Sequence, residues 1–443
     1  MQKFSLFTTV LSVILFFSCG KGIDNLFQNP DNERIALDGR SKAYVPIKRI
    51  TSPPGNHWFG YYDKIQCDPT NRYVLGMRTD FEHRSPTADD VIEIGMVDLF
   101  DDCKWIRLGE SRAWGWQQGC QLQFIPGSSD EVLWNDREGD QFVCRIMNIK
   151  TGVQRTIPWT IYALSPDGKW AVTTDYRRIN DMRPGYGYAG IPDPNVDVLA
   201  PDNAGIWKVD LQTGEARLIV SLAQAKAVPF PMDEGFGECK HWFNHLLVNP
   251  DGSRFVFLQR WKHPDREKNR MLYGGDGGSW RTRMMIASPD GSDLRIIIPY
   301  NIVSHFIWHD PSHVLSWVKT PEDDYGFFLF EDSPAGNITL VGDKDVMRAD
   351  GHCTYLLSNE WILNDAYPSG TRLQTVYLYH VKTGVRFPLS DFYSPPEYTG
   401  EWRCDTHPKS TVDGNFVIVD SPNWDGRQMY MMDIRGIIKT KSK

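Results

Sequence analysis

His245-Leu-Leu-Val-Asn-Pro250-Asp-Gly252 is a short apolar run that stops at a Pro-Asp-Gly turn, and Tyr162-Ala-Leu-Ser-Pro166-Asp-Gly168 repeats it. Each reads as a strand entering a tight turn. Looser copies stay in step with them: Asp63 to Pro69, Cys120 to Gly127, His305 to Pro311, His352 to Leu357 and His407 to Gly414. Seven copies therefore run along the chain, and four of them carry a histidine shortly before the turn. A second punctuation falls between them, at Asp98, Gly152, Gly214, Gly291, Glu331-Asp332, Gly384 and Asp433, and closes an outer strand each time.

Two interleaved series of the same length, in repeats of roughly 45 to 60 residues built of short strands, predict an all-β chain folded as a seven-bladed β-propeller. Stacked helices would need a period of 3.6 over longer runs than occur here. The segment Tyr44 to Thr51 reads as a strand ahead of the first copy. It is expected to complete the last blade and close the ring, which removes exposed edges. A closed propeller accommodates 443 residues as one domain.

Residues 1–19 have the form of a secretory leader, with Lys3 followed by the apolar stretch Phe4 to Phe17. Ser18-Cys19-Gly20 is similar to the lipobox of bacterial lipoproteins, which makes Cys19 the candidate lipidation site. The expected address is the outer membrane, on its periplasmic face or at the cell surface; plain secretion is the alternative. Residues 20–42 would be a flexible tether and residues 43–443 the propeller. The net charge of −8 and the lack of a basic run give no footing for nucleic acid. A monomer is expected. The cysteines after Cys19 show no CxxC spacing, so a zinc ribbon is not supported; Cys67, Cys120, Cys353 and Cys404 read as small buried residues.

In a propeller the first strand of every blade lines the central channel, so equivalent offsets converge in space. That ring holds Lys64, Gln121, Tyr162, His245, His305, His352 and His407, with Asp63, Gln118, Asn244, Asp350, Arg403 and Asp405 beside them. Neutral imidazoles from separate strands can hold a divalent metal with one side open. They can also act as general acid and base, or form a polar core. Asn56-His57-Trp-Phe-Gly-Tyr61-Tyr62-Asp63 places more polar groups at the channel mouth. Arg281 and Arg283 are candidates to clamp a carboxylate, or to form salt bridges. The long insertion from Tyr176 to Asn203 is expected to overhang the funnel, with Tyr186 or Tyr188 reaching a ligand. No Gly-x-Ser-x-Gly elbow is present, which argues against a propeller-bearing serine peptidase.

The blades Asn244-His245-Leu-Leu-Val-Asn-Pro-Asp-Gly, Asp350-Gly-His352 and Arg403-Cys-Asp405-Thr-His407-Pro, with Arg427-Gln428-Met-Tyr430, resemble the propeller polysaccharide lyases. These are the oligogalacturonate lyases and, more distantly, the ulvan lyases; the blade punctuation is also similar to that of TolB-like propellers. The resemblance implies β-elimination on an acidic polysaccharide or oligosaccharide containing uronate. It implies a divalent metal, manganese, zinc or calcium, with manganese the one used by oligogalacturonate lyases. His245, His352 and His407 would be its ligands, with His305 or Gln121 as a fourth. In the ulvan-lyase version, His57, Tyr186 or Tyr188 would handle the proton and Arg281 or Arg283 the carboxylate. Tyr62, Asp63, Gln118, Asn244, Arg403 and Asp405 would then contact substrate. The reading from a different class is a non-catalytic propeller that binds glycan or protein.

Overall fold

Seven antiparallel sheets follow one another along the chain and form a seven-bladed β-propeller. The computed structural model describes residues 23–24, 26–27, 39–230, 234–322, 324–334, 336–343 and 345–439. Blade one comprises Asn56–Trp58, Tyr73–Thr79, Ile92–Asp98 and Lys104–Ser111, and blades two to five repeat this order to Ile338–Val341. Blade six ends at Val385–Tyr393 and gains Lys42–Ala43 as a fifth, outermost strand. Blade seven has Lys409–Ser410, Phe416–Ser421 and Gln428–Asp433, and its fourth strand is Ile47–Arg49 from the other end of the chain. Ring closure thus follows the expectation for Tyr44 to Thr51.

Both punctuation series have structural roles. In the first, Gly168 has φ +66° and its N–H donates to Ser165 O at 3.0 Å; a Cβ there would meet Pro126 O at 2.5 Å. The turn therefore requires glycine. The second series terminates the third strand of each blade, at Asp98, Asn148, Asp210, Ala287, Glu331, His380 and Asp433.

Flat, twisted sheets facing each other around a ring need bulky apolar side chains between them. Trp58, Trp114, Trp116, Trp134, Trp242 and Trp261 are all fully buried. At about 25 cal/mol per Å², each contributes roughly 4–6 kcal/mol of transfer free energy before entropy is charged. The seven described cysteines are all free, and only Cys103 is not buried.

The segment read as a tether departs from that reading where it is described. Ile23 and Leu26 are buried in the core shared by blades one and seven, and Phe27 stacks on Phe416 at 5.6 Å. Apolar side chains in an otherwise polar stretch are the reason. The leader and Cys19 lie outside the described residues. Among the described residues, no helix is long and apolar enough to cross a membrane.

Candidate functional site

The first strand of blade one leaves its ladder after Trp58, which pairs with Met77, and rejoins it at Gln66 and Cys67, opposite Leu75 and Val74. The residues between swing into the central channel. Asp420 of blade seven accepts hydrogen bonds from the N–H groups of Phe59 (3.1 Å) and Gly60 (3.0 Å), which anchors the excursion. Gly60 has φ +94° and lies against the Gln118 backbone. At the tip, the Tyr62 hydroxyl donates to Phe306 O at 2.8 Å and accepts from Phe306 N at 2.9 Å, across the ring in blade five. Tyr61 lies beside it, 4.9 Å from the ring of His245 and 5.3 Å from that of His407. The chain thus crosses the channel here, and Tyr61 forms part of the floor of a cavity.

Three of the four ring histidines meet on that floor. Imidazole centroids are 4.2 Å apart for His305 and His352 and 4.3 Å for His352 and His407. Nδ1 of His305 is 2.9 Å from Asp350, and Nδ1 of His352 is 3.0 Å from both oxygens of Asp365, itself held by the Thr406 hydroxyl. Carboxylates on Nδ1 fix each ring and direct Nε2 to the other side, the arrangement that supports metal-ligating histidines. Both Nε2 atoms face the Tyr367 hydroxyl, at 3.4 and 3.5 Å. His407 Nε2 is buried with no hydrogen-bond partner among the described residues and stands 4.0 Å from Asp405. Ligand atoms of His352, Asp405 and His407 all lie within 4.8 Å of one another. Burial holds the His407 and His305 imidazoles below their ordinary pKa, so both offer neutral nitrogen. Burial also opposes protonation of His352, but the Asp365 carboxylate outweighs it and holds that ring above its ordinary value.

His352, His407 and Asp405 bring their ligand atoms close enough to share a divalent cation, with His305 packed against His352 beside them, and His407 Nε2 is a buried atom without a hydrogen-bond partner among the described residues. Gln121 Oε1, Gln118 Nε2 and both polar atoms of the Asn244 side chain are also buried without partners among the described residues. The backbone is bent at the same places. Gln121, His245 and His407 have φ of 59°, 52° and 40°, a left-handed conformation that costs a non-glycine residue about 1–3 kcal/mol. At His245 this is a break in the ladder between Asn244 and Leu246, and it turns the ring away from the others. His245 stacks on Phe306 at 4.0 Å and sits 3.4 Å from Asp63, so it is not gathered with the other three. Burial pushes it down to about 4 despite Asp63.

Around the histidines stand three arginines and a tyrosine. The insertion in blade three folds as a helix, Tyr176–Met182, then a turn that lowers Tyr186 into the funnel. Arg403 donates to the Tyr186 hydroxyl at 2.8 Å and to Asp405 at 2.8 Å. The Arg183 guanidinium lies 3.7 Å over the Tyr186 ring. Burial opposes ionisation of Tyr186, but these two cations outweigh it and hold the phenol below its ordinary value. Arg260 is 6% exposed, and its Nε and Nη1 have no partner among the described residues. Burial, with Arg183 close by, pushes it down to about 9. The cavity, of about 330 Å³, is lined by Tyr61, Arg183, Arg260, Trp280, His305 and Tyr367 among others, so it takes in two of the three arginines and one of the three gathered histidines.

Other candidates lie elsewhere. Arg260 pairs with Thr282 in the ladder, and Thr282 lines the cavity. Arg281 and Arg283 flank Thr282, so strand alternation sends both to the opposite face. There Arg283 is spent on Gln259 and the carbonyls of Val228 and Ala225, and Arg281 lies over Tyr273. His57 precedes the excursion, and packs against Trp105 with Nδ1 3.2 Å from Gln428. Tyr188 stacks on Tyr176 at 4.1 Å and accepts from Asn135, fully buried. Tyr62 is committed to the Phe306 backbone, while Gln118, Asn244 and the side chain of Asp63 are buried. Tyr367, Asp365, Arg183 and Arg260 complete the site without having been singled out. Asp365, Tyr367 and Arg260 lie in or just after second strands, whereas the repeat alignment indexed first strands; the Arg-Pro-Gly-Tyr of the insertion was the one available signal for Arg183.

No family model matches the sequence, and no curated protein matches it. Solved structures do resemble the fold. An oligogalacturonate lyase in complex with manganese aligns over 88% of this chain and 94% of its own, with a TM-score of 0.61 and 14% identity. A second oligogalacturonate lyase, from Vibrio parahaemolyticus, covers 89% and 96% with a TM-score of 0.58 and 13% identity. A puromycin-hydrolyzing peptidase from Mycobacterium tuberculosis reaches a TM-score of 0.50 over 86% of this chain and 55% of its own, at 13% identity. At these identities the likeness shows the propeller fold, carried over nearly the full length of the two lyases.

Proposed function

We propose that this propeller cleaves uronate-containing oligosaccharide by β-elimination in the funnel. One observation carries the reading: a single cavity is lined by the carboxylate-backed His305 and by Arg183 and Arg260, the latter buried with Nε and Nη1 unpartnered among the described residues, and Tyr186 is held beside it between Arg183 and Arg403. An unpaired buried cation is costly unless a ligand supplies the anion. A sugar carboxylate placed on Arg260, with Arg183 nearby, meets that need, and Trp280 offers a face for the sugar ring.

Neutralising the carboxylate acidifies the C5 proton, since charge builds on that group as the proton leaves. Tyr186, as phenolate beside Arg403, takes the proton; the C5–H electron pair forms the C4=C5 double bond, and the C4–O bond breaks. The phenol so formed returns the proton to the departing glycosidic oxygen, which restores Tyr186 for the next turnover. A divalent cation held by His352, His407 and Asp405, with His305 beside them, would add Lewis-acid neutralisation of the carboxylate.

The test is the ultraviolet absorbance of an unsaturated uronate on incubating the protein with a panel of uronic-acid oligosaccharides, with and without a chelator. Absorbance should rise, and should fall with chelation; no rise on any uronate would sink the reading. We also propose export with acylation at Cys19. Labelling by a tagged fatty acid should occur in the native chain and vanish in Cys19→Ser.

A further inference from the structure

Blade five carries a second set of ligand-type side chains, at the turn between its first two strands. His309 and Asp310 end the strand Val303–Asp310, and His313 begins the strand His313–Lys319. Asp310 pairs directly with His313 in the ladder, so their side chains share a face. His309, adjacent to Asp310, would point to the opposite face under strand alternation. The register shifts between Trp308 and Asp310, and an irregularity of this kind re-aims a side chain.

The result is convergence. Nδ1 of His309 is 2.8 Å from Asp310 Oδ2, and Nδ1 of His313 is 2.9 Å from both Asp310 oxygens. Ligand atoms of the three residues lie within 4.8 Å of one another. The side chains are 31%, 34% and 35% exposed, so solvent and ions reach them. The cluster is also held in place: Asn359 of blade six donates to His309 O at 2.6 Å, the His309 ring stands edge-on to Tyr355 at 5.0 Å, and Ser312 N donates to Asp310 Oδ1 at 2.8 Å. Donors around a tetrahedral zinc ion lie roughly 3.3 Å apart, given bonds of about 2.0–2.1 Å. Admitting an ion therefore asks these side chains to open by about half an ångström.

We propose that His309, Asp310 and His313 form a second divalent-cation site, separate from the funnel and independent of the lyase reading. Two imidazoles and one carboxylate select a transition ion such as Zn²⁺ or Co²⁺ over Ca²⁺ or Mg²⁺, and leave the remaining positions to water. An ion bound there ties the two strands together at their turn and stabilises the blade by mass action.

Co²⁺ is the probe, because its visible bands report nitrogen and oxygen coordination. It would be titrated by equilibrium dialysis into the full chain, His313→Ala and His309→Ala, and into each of these with His352→Ala and His407→Ala added. Each blade-five variant should bind one Co²⁺ fewer per chain, its remaining affinity at that site lowered by about 100-fold or more, in both backgrounds, while the funnel ion of the otherwise native chain keeps its affinity. Activity on uronates should be unchanged in His313→Ala and His309→Ala. Equal stoichiometry in the full chain and in both blade-five variants would overturn the site and leave the three residues as a hydrogen-bonded turn. The comparison in the otherwise native chain suffices if the funnel substitutions prevent folding.

Discussion

At the residue scale, Tyr186 and Arg260 are the two side chains whose chemistry least resembles that of a packed core. Tyr186 is held below its ordinary pKa by Arg183 and Arg403. If its phenolate is the base, kcat/KM should rise with pH up to the depressed pKa and level off above it. Tyr186→Phe should lower kcat by about 10²–10⁴-fold and abolish that rising limb; an unchanged limb would assign the base elsewhere. Arg260 makes a different forecast, because a buried cation with Nε and Nη1 unpartnered among the described residues works against the fold. Arg260→Met should raise stability by about 1–3 kcal/mol in denaturant unfolding while weakening binding of a uronate oligosaccharide in calorimetry. Lost stability would mean that Arg260 is a structural residue.

At the scale of elements, the site depends on two departures from the repeat. One is the excursion after Trp58, anchored by Asp420 and closed on Phe306. The other is the blade-three insertion, which Arg178 latches down. Its guanidinium, 2% exposed, donates to Asp193 at 3.0 Å and to the carbonyls of His241, Asn195, Val198 and Leu199. Arg178→Ala strands the buried Asp193 carboxylate and those carbonyls together. It should cost about 3–5 kcal/mol of stability and reduce turnover as Tyr186 loses its position. Hydrogen exchange localised to 176–203 would show the latch opening; exchange spread evenly over the chain would count against it.

At the scale of the molecule, one end of the chain closes the ring. Ile47–Arg49 pairs with Gln428–Asp433, and Lys42–Ala43 covers the edge of blade six. A chain lacking residues 1–50 would leave Gln428–Asp433 as an open, apolar edge strand, a template for pairing with other chains. It should melt on the order of 10 °C lower and elute as aggregates in size-exclusion chromatography. A monomer of unchanged melting temperature would show that the closing strand is dispensable.

The seven-bladed ring was legible in the sequence because it is periodic. Turn chemistry at Gly168 and Gly252, and the stops after each third strand, are local requirements that recur at fixed offsets and need no knowledge of the partners. The same offsets brought His305, His352 and His407 into one set, since equivalent positions of adjacent blades are neighbours by symmetry. What breaks the symmetry was decided only in three dimensions. His245 shares the offset, yet a local kink turns it toward Asp63. Arg260 and Arg283 are both cationic and buried in blade four, yet alternation in adjacent strands put one on the cavity and the other on backbone carbonyls. Asp365 and Tyr367 follow a second strand, where the repeat offers no register for them. A repeating sequence encodes contacts that repeat; a site at the hub of a propeller is made by side chains that meet once, through contacts between blades distant along the chain.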